Sequence, residues 1–176
     1  LTADKRYELS KETELILKGF IHPIKIDVLL SGKMPAEFHR LRRETKELLK
    51  SMQRKSNKIV FEFIDPFEGE EDVESLVSEM ERYGISPETT FENQNQKIQQ
   101  TILFPWAIMS SEKKSVLVPL VKSNLGDNKL EKINRSIREL EKEFYNAFFK
   151  ITLKEKKRIA VLTSHGTSKD LFLSDF

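Results

Sequence analysis

There is no cysteine in this chain. Thiol–disulfide exchange, a thiolate nucleophile and a thiolate metal site are therefore closed to it, although a cysteine-free sequence is compatible with either redox compartment. No apolar run approaches the roughly 20 residues needed to cross a bilayer, and no charged-then-apolar leader stands at the front. The first residue is Leu1 rather than Met, which predicts a chain trimmed or processed at its N terminus, with any membrane anchor outside the residues shown. Charge of one sign is also lacking: 30 Lys and Arg against 28 Asp and Glu leave +2, too little to point to nucleic acid. The six glycines form no phosphate-cradling pattern, and no nucleophile elbow is present. Only three histidines occur, His22, His39 and His165, and no metal-ligand spacing links them. What is present, 38% hydrophobic and 33% charged residues over 176 positions, suits a soluble, folded chain with one good core and the beginning of a second.

The charges are segregated along the chain. From Ala36 to Lys58 the basic residues Arg40, Arg42, Arg43, Lys46, Lys50, Arg54, Lys55 and Lys58 face only Glu37, Glu44 and Glu47; from Glu62 to Glu92 eleven acids accompany a single cation, Arg82. Either cluster reads first as a solvated helix face and second as a docking surface for a partner of opposite sign.

Ser10 can cap a helix from Lys11 to Lys18 that Gly19 ends. Ile24, Ile26, Val28 and Leu30 then alternate with Lys25, Asp27 and Leu29, a period of two that predicts a first strand with one face on a core. Pro35 fits a first helical position, and Phe38, Leu41, Thr45, Leu48 and Met52 recur at helical spacing to about Arg54. Ile59 to Ile64 alternates again and stops at Asp65 and Pro66, where Asp65 reads as a turn former better than as an acid or base. Strand, helix and strand in this order predict a parallel right-handed crossover. Acids from Gly69 to Asp72 suit a helix start, with Val73, Leu76, Val77 and Met80 as its buried stripe and Gly84 as its stop.

The Asn/Gln-rich stretch from Thr89 to Gln100 predicts a hairpin arm turning near Asn95 and Gln96. Thr101 to Met109 is almost wholly apolar and predicts one central strand covered on both faces. Val116, Val118 and Leu120 form its antiparallel partner, an edge strand because it holds Pro119. Leu130, Ile133, Ile137, Leu140, Phe144, Ala147, Phe148 and Ile151 give the longest helical stripe, which predicts packing across the sheet rather than a coiled coil. Arg158 to Leu162 then predicts a fresh strand, followed by the small Thr163–Thr167 turn.

This order, β-α-β-α-β-β-α with an N-terminal helix and an inserted hairpin arm, predicts an α/β domain with a thioredoxin-like three-layer mixed sheet over residues 1–153, and the start of a second α/β subdomain over 154–176. Candidate ligand-binding residues follow from that placement. Pro105 stands where such folds often keep a cis proline that shapes a peptide-binding edge, making the Phe104–Pro105 bond a candidate for that isomer. Trp106 lines a ligand groove or, the commoner use of a lone Trp in an apolar run, packs in the core. His165 and Gly166 lie past a strand end, where a ligand meets backbone amides. No catalytic constellation, metal site or cofactor is predicted.

Tyr7 through Ser31, the corner Phe63-Ile-Asp-Pro66, the strand entry Ile102-Leu-Phe-Pro105, the helix Asn134–Phe148 and the segment Arg158-Ile-Ala-Val-Leu-Thr-Ser-His-Gly166 together resemble the auxiliary, or substrate-binding, component of an ABC transporter associated with gliding motility, the GldG-like family. The resemblance covers essentially the whole chain and rests on order and spacing more than on any one piece. It implies a non-enzymatic, membrane-anchored ectodomain on the periplasmic side of the bacterial inner membrane, held by anchors outside this chain, with permease and ATPase partners. It brings no established catalytic site. The alternative reading is a peptide- or glycan-binding thioredoxin-like module acting independently of a transporter.

Overall fold

The computed structural model describes residues 7–153. Four helices and six strands are present among them: α1 (Lys11–Lys18), β1 (Ile24–Val28), α2 (Ala36–Lys55), β2 (Ile59–Phe63), α3 (Val73–Arg82), β3 (Glu88–Gln94), β4 (Lys97–Leu103), β5 (Trp106–Ser110), β6 (Ser115–Pro119) and α4 (Lys129–Thr152). The chain is mixed α/β, with a mixed four-stranded sheet of order β2-β1-β5-β6 and a separate two-stranded sheet of β3 and β4. β1 and β2 run parallel, as their crossover through α2 requires, while β5 is antiparallel to both β1 and β6.

Side-chain alternation sorts the sheet into two faces. Ile24, Ile26, Val28, Ala107, Met109, Val116 and Val118 join Leu17, Leu41, Leu48, Met52, Phe144 and Phe148 in the main core, so α1, α2 and α4 cover one face. Leu29 and Ile108 join Leu76, Met80, Ile85 and Phe104 in a second, smaller core, which places α3 on the other. The stripe of α4 thus packs across the sheet. Its N terminus carries a reciprocal capping box between Asn128 and Glu131. Near its middle, Glu141 Oε1 accepts hydrogen bonds from the Ser10 backbone N–H (2.7 Å) and the Thr13 hydroxyl (2.8 Å), pinning the start of α1.

Several sequence expectations change. The apolar run from Thr101 to Met109 is two strands rather than one: β4 ends at Leu103, β5 begins at Trp106, and they belong to different sheets. Pro105 has no N–H to continue a ladder, and the Trp106 N–H turns back to the Phe104 carbonyl (2.9 Å), so the chain turns there. The Phe104–Pro105 bond is trans, since no cis peptide occurs among the described residues. Pro35 is the N-cap of α2 rather than its first residue. Val73 and Leu130, expected in buried stripes, are 38% and 62% exposed. Each lies in the first turn of its helix, before the stripe meets the sheet. Asp27 and Leu29, which alternate with the core positions of β1, are buried as well, while Lys25 on the same face is half exposed. The predicted strand Arg158–Leu162, and the subdomain of 154–176 with it, lie outside the described residues.

The hairpin arm turns at Asn95 and Gln96, both with positive φ (52° and 65°), the backbone of a two-residue turn that matches strand twist. Asn tolerates this conformation and Gln does so poorly. Gln96→Gly is therefore expected to raise the unfolding free energy of the arm by about 0.5–1 kcal/mol, measured as slower amide hydrogen exchange across β3 and β4. Unchanged exchange would mean that the turn does not limit the arm's stability.

Candidate functional site

Where β3 passes the N-terminal ends of α2 and α4, a cleft of about 280 Å³ opens. Phe38 and Ile133, both buried members of the main core, form its floor. Thr89, Thr90 and Phe91 of β3 form one wall, and Lys129 and Lys132 of α4 the other. Phe91 is 57% exposed at the rim. Lys132 is paired with Glu88, and Lys129 Nζ donates to the Phe91 carbonyl (3.4 Å), so α4 reaches the arm through two amines.

The ladder explains why that carbonyl is available. In a two-residue hairpin the residues flanking the turn, Gln94 and Lys97, bond each other, and bonded pairs then recur at Glu92–Gln99 and Thr90–Thr101. The backbone groups of Thr89, Phe91 and Asn93 therefore point away from β4. The cleft presents an outward strand edge above an apolar floor.

Its charges are committed to internal contacts except that of Glu37 at the start of α2, a lining carboxylate with no partner among the described residues. Arg135 grips Asp127 through two nitrogens (3.0 and 3.1 Å), and the Asn124 N–H donates to the same carboxylate (2.7 Å). The Arg135 hydrogen bond, then the backbone one, hold the Asp127 carboxyl below its ordinary pKa. Asn128 caps α4, whereas α2 begins at Pro35 with no side-chain cap. No group of three or more His, Cys, Asp or Glu able to hold a metal ion occurs among the described residues.

A second polar feature lies on the α3 side of the sheet. Asp27 is 1% exposed and sits in register between Ile108 and Glu62. Its Oδ1 lies 3.5 Å from Lys25 Nζ without hydrogen-bond geometry, and Lys25 is shared with Glu62 at 3.6 Å. Burial pushes the carboxyl up to about 6, against the pull of Lys25.

Pro105 and Trp106 are close to each other but do not line the cleft. Pro105 is buried, and its carbonyl accepts from the Leu120 N–H (2.9 Å). Trp106 packs on the smaller core, its indole N–H donates to the Ser86 carbonyl (2.8 Å), and its own carbonyl accepts from the Leu29 N–H (2.8 Å). Trp106 thus ties the segment after α3 onto the sheet. His165 and Gly166 lie outside the described residues. The sequence reading missed the cleft because its walls come from three distant segments, and the one available signal was the Asn/Gln-rich arm itself.

No curated protein and no solved structure matches this chain. A family described as a domain of unknown function, DUF7088, matches residues 3–110. That span is more than half of the 176 residues, and the chain belongs to the DUF7088 family.

Proposed function

We propose that this chain is a non-enzymatic binding domain, the extracytoplasmic part of a membrane-anchored ABC transporter auxiliary component like those of the GldG-like family, built on a thioredoxin-like scaffold without thiol chemistry. The observation that carries the binding reading is the cleft. Apart from Glu37 its charged groups are engaged within the protein, and what remains to a ligand is that one carboxylate, a strand edge, a half-exposed phenyl ring and an apolar floor. Such a surface holds an extended chain and has no group placed to break a bond. The order of elements, with helices on both faces of a mixed sheet, supports the scaffold. The transporter assignment rests on the resemblance, and its partners would be a permease and an ATPase. Affinity purification of the tagged full-length protein from detergent-solubilised membranes is expected to recover both. Recovery of neither, from membranes in which both are expressed, would remove the transporter reading.

A further inference from the structure

The two edges of the four-stranded sheet are treated differently. β6 carries Pro119, which interrupts a ladder. β2 reads Ile-Val-Phe-Glu-Phe, without proline or lysine and with strong β propensity, a sequence that natural edges normally avoid unless something covers them.

The direction of its backbone groups is fixed by two bonds. The Ile24 N–H donates to the Lys58 carbonyl and the Ile64 N–H to the Val28 carbonyl, both at 2.8 Å. Residues 58, 60, 62 and 64 therefore turn their polar groups toward β1, and Ile59, Phe61 and Phe63 turn theirs outward. The Ile59 groups are used locally, its carbonyl accepting from Gln53 Nε2 (3.2 Å) and its N–H donating to Ser56 (3.3 Å). Among the described residues, no hydrogen bond engages the outward N–H of Phe61 or Phe63.

α2 runs along this edge in the opposite direction. The Arg42 guanidinium lies 4.5 Å from the Phe63 ring centre, and Gln53 reaches Ile59. Steps of four, three and four residues connect Arg42, Lys46, Leu49 and Gln53, so these four line the strand, and His39, Arg43, Lys50 and Arg54 occupy the next exposed strip outward. One acid, Glu47, borders the outer strip and pairs with Lys50 at 3.3 Å, which leaves Arg42, Arg43 and Lys46 as the cations beside the edge with no acid partner among the described residues. Glu44 lies further round, toward α4, where Arg40 donates to Asn134. On the opposite side of the sheet the edge offers Val60, half exposed, and Glu62, paired with Lys25.

We propose that the outer edge of β2 is a docking site that receives a strand from another protein, an extended segment with acidic side chains on the face toward α2 and apolar ones on the face toward Val60. Backbone pairing at Phe61 and Phe63 supplies the adhesion, and the cations of α2 select the sign of charge. A second copy of this chain fits poorly, because two-fold pairing of β2 with itself would set two basic α2 strips side by side. This site is separate from the cleft and does not depend on it.

The test uses the 176-residue chain and end-blocked decapeptides. One alternates Glu and Val, a second alternates Lys and Val, and a third is the Glu/Val sequence N-methylated at alternate amides. The Glu/Val peptide is expected to slow exchange of the Phe61 and Phe63 amides and to bind at least about tenfold tighter than the Lys/Val peptide, the equivalent of one well-placed charge contact. The N-methylated peptide should give no protection. The double variant Arg43→Glu/Lys46→Glu, at surface positions, should reverse the charge preference. Equal binding of both charged peptides, absence of protection at Phe61 and Phe63, or protection at Thr89 and Phe91 instead would each overturn the proposal. So would Phe61 protection without peptide accompanied by a doubled mass in sedimentation, which assigns the edge to self-association. Charge-dependent binding to phosphatidylglycerol vesicles with no binding of the Glu/Val peptide would assign the strip to a membrane surface and overturn it too.

Discussion

Phe148→Ala is expected to lower the unfolding free energy by about 3–5 kcal/mol, while Phe149→Ala changes it by about 0.5 kcal/mol or less. The two rings are adjacent in sequence and opposite in circumstance. Phe148 is fully buried in the main core, with the Phe20 ring 5.6 Å away; Phe149 is half exposed on the outer surface of α4. Truncating Phe148 loses its transfer free energy and leaves a void between α4 and the sheet that rigid strands cannot close. Urea denaturation with a common m value measures both. Similar losses at the two positions would mean that α4 is rotated from the packing described above.

Asp27→Asn is expected to stabilise the protein by about 2 kcal/mol at pH 7–8 and by almost nothing at pH 4. Burial raises the folded-state pKa of Asp27 from 3.8 to about 6. Between those values the folded chain keeps a proton that the unfolded chain has released, so this group's contribution falls as pH rises through the window and is level above it. A shift of that size corresponds to on the order of 2–3 kcal/mol. Asparagine has the same shape and no charge to desolvate; the Lys25 contact that it gives up offsets a little of the gain, because Lys25 is half exposed and retains Glu62. The check is a series of urea titrations from pH 4 to 8 on both proteins. Parallel stability profiles would show that Asp27 is ionised in the fold at no cost, and the burial argument would fail.

What could be read from the sequence was whatever neighbouring residues decide among themselves. Ser10 and Gly19 bound α1 where expected because a cap hydroxyl and a stop act within one turn. Pro119 marked an edge strand and Asn95-Gln96 a turn for the same reason. The burial of Asp27 was not legible, since alternation shows which way a side chain points but not what covers that face, and Lys25 on the same face is half exposed. The division at Phe104-Pro105 was hidden by an unbroken apolar run: both strands need apolar residues, and only pairing shows that they serve different sheets. Leu130 obeyed helical spacing and still faces solvent, because periodicity cannot tell where a helix overshoots the layer beneath it. Of the candidate site, the arm was visible but its company was not. Phe38, Thr90 and Ile133 meet only after the helical layer has assembled.

The span shared with the DUF7088 family closes at residue 110, the last residue of β5. Both β6, which pairs with β5, and α4, which roofs Ala107 and Met109, come later in the chain. The matched span therefore stops short of the strand and the helix that complete the main core. During synthesis, when only the matched span has left the ribosome, the sheet lacks β6 and the α4 share of its cover and α1 lacks the Glu141 clasp, so burial is completed about 40 residues later, by the end of α4.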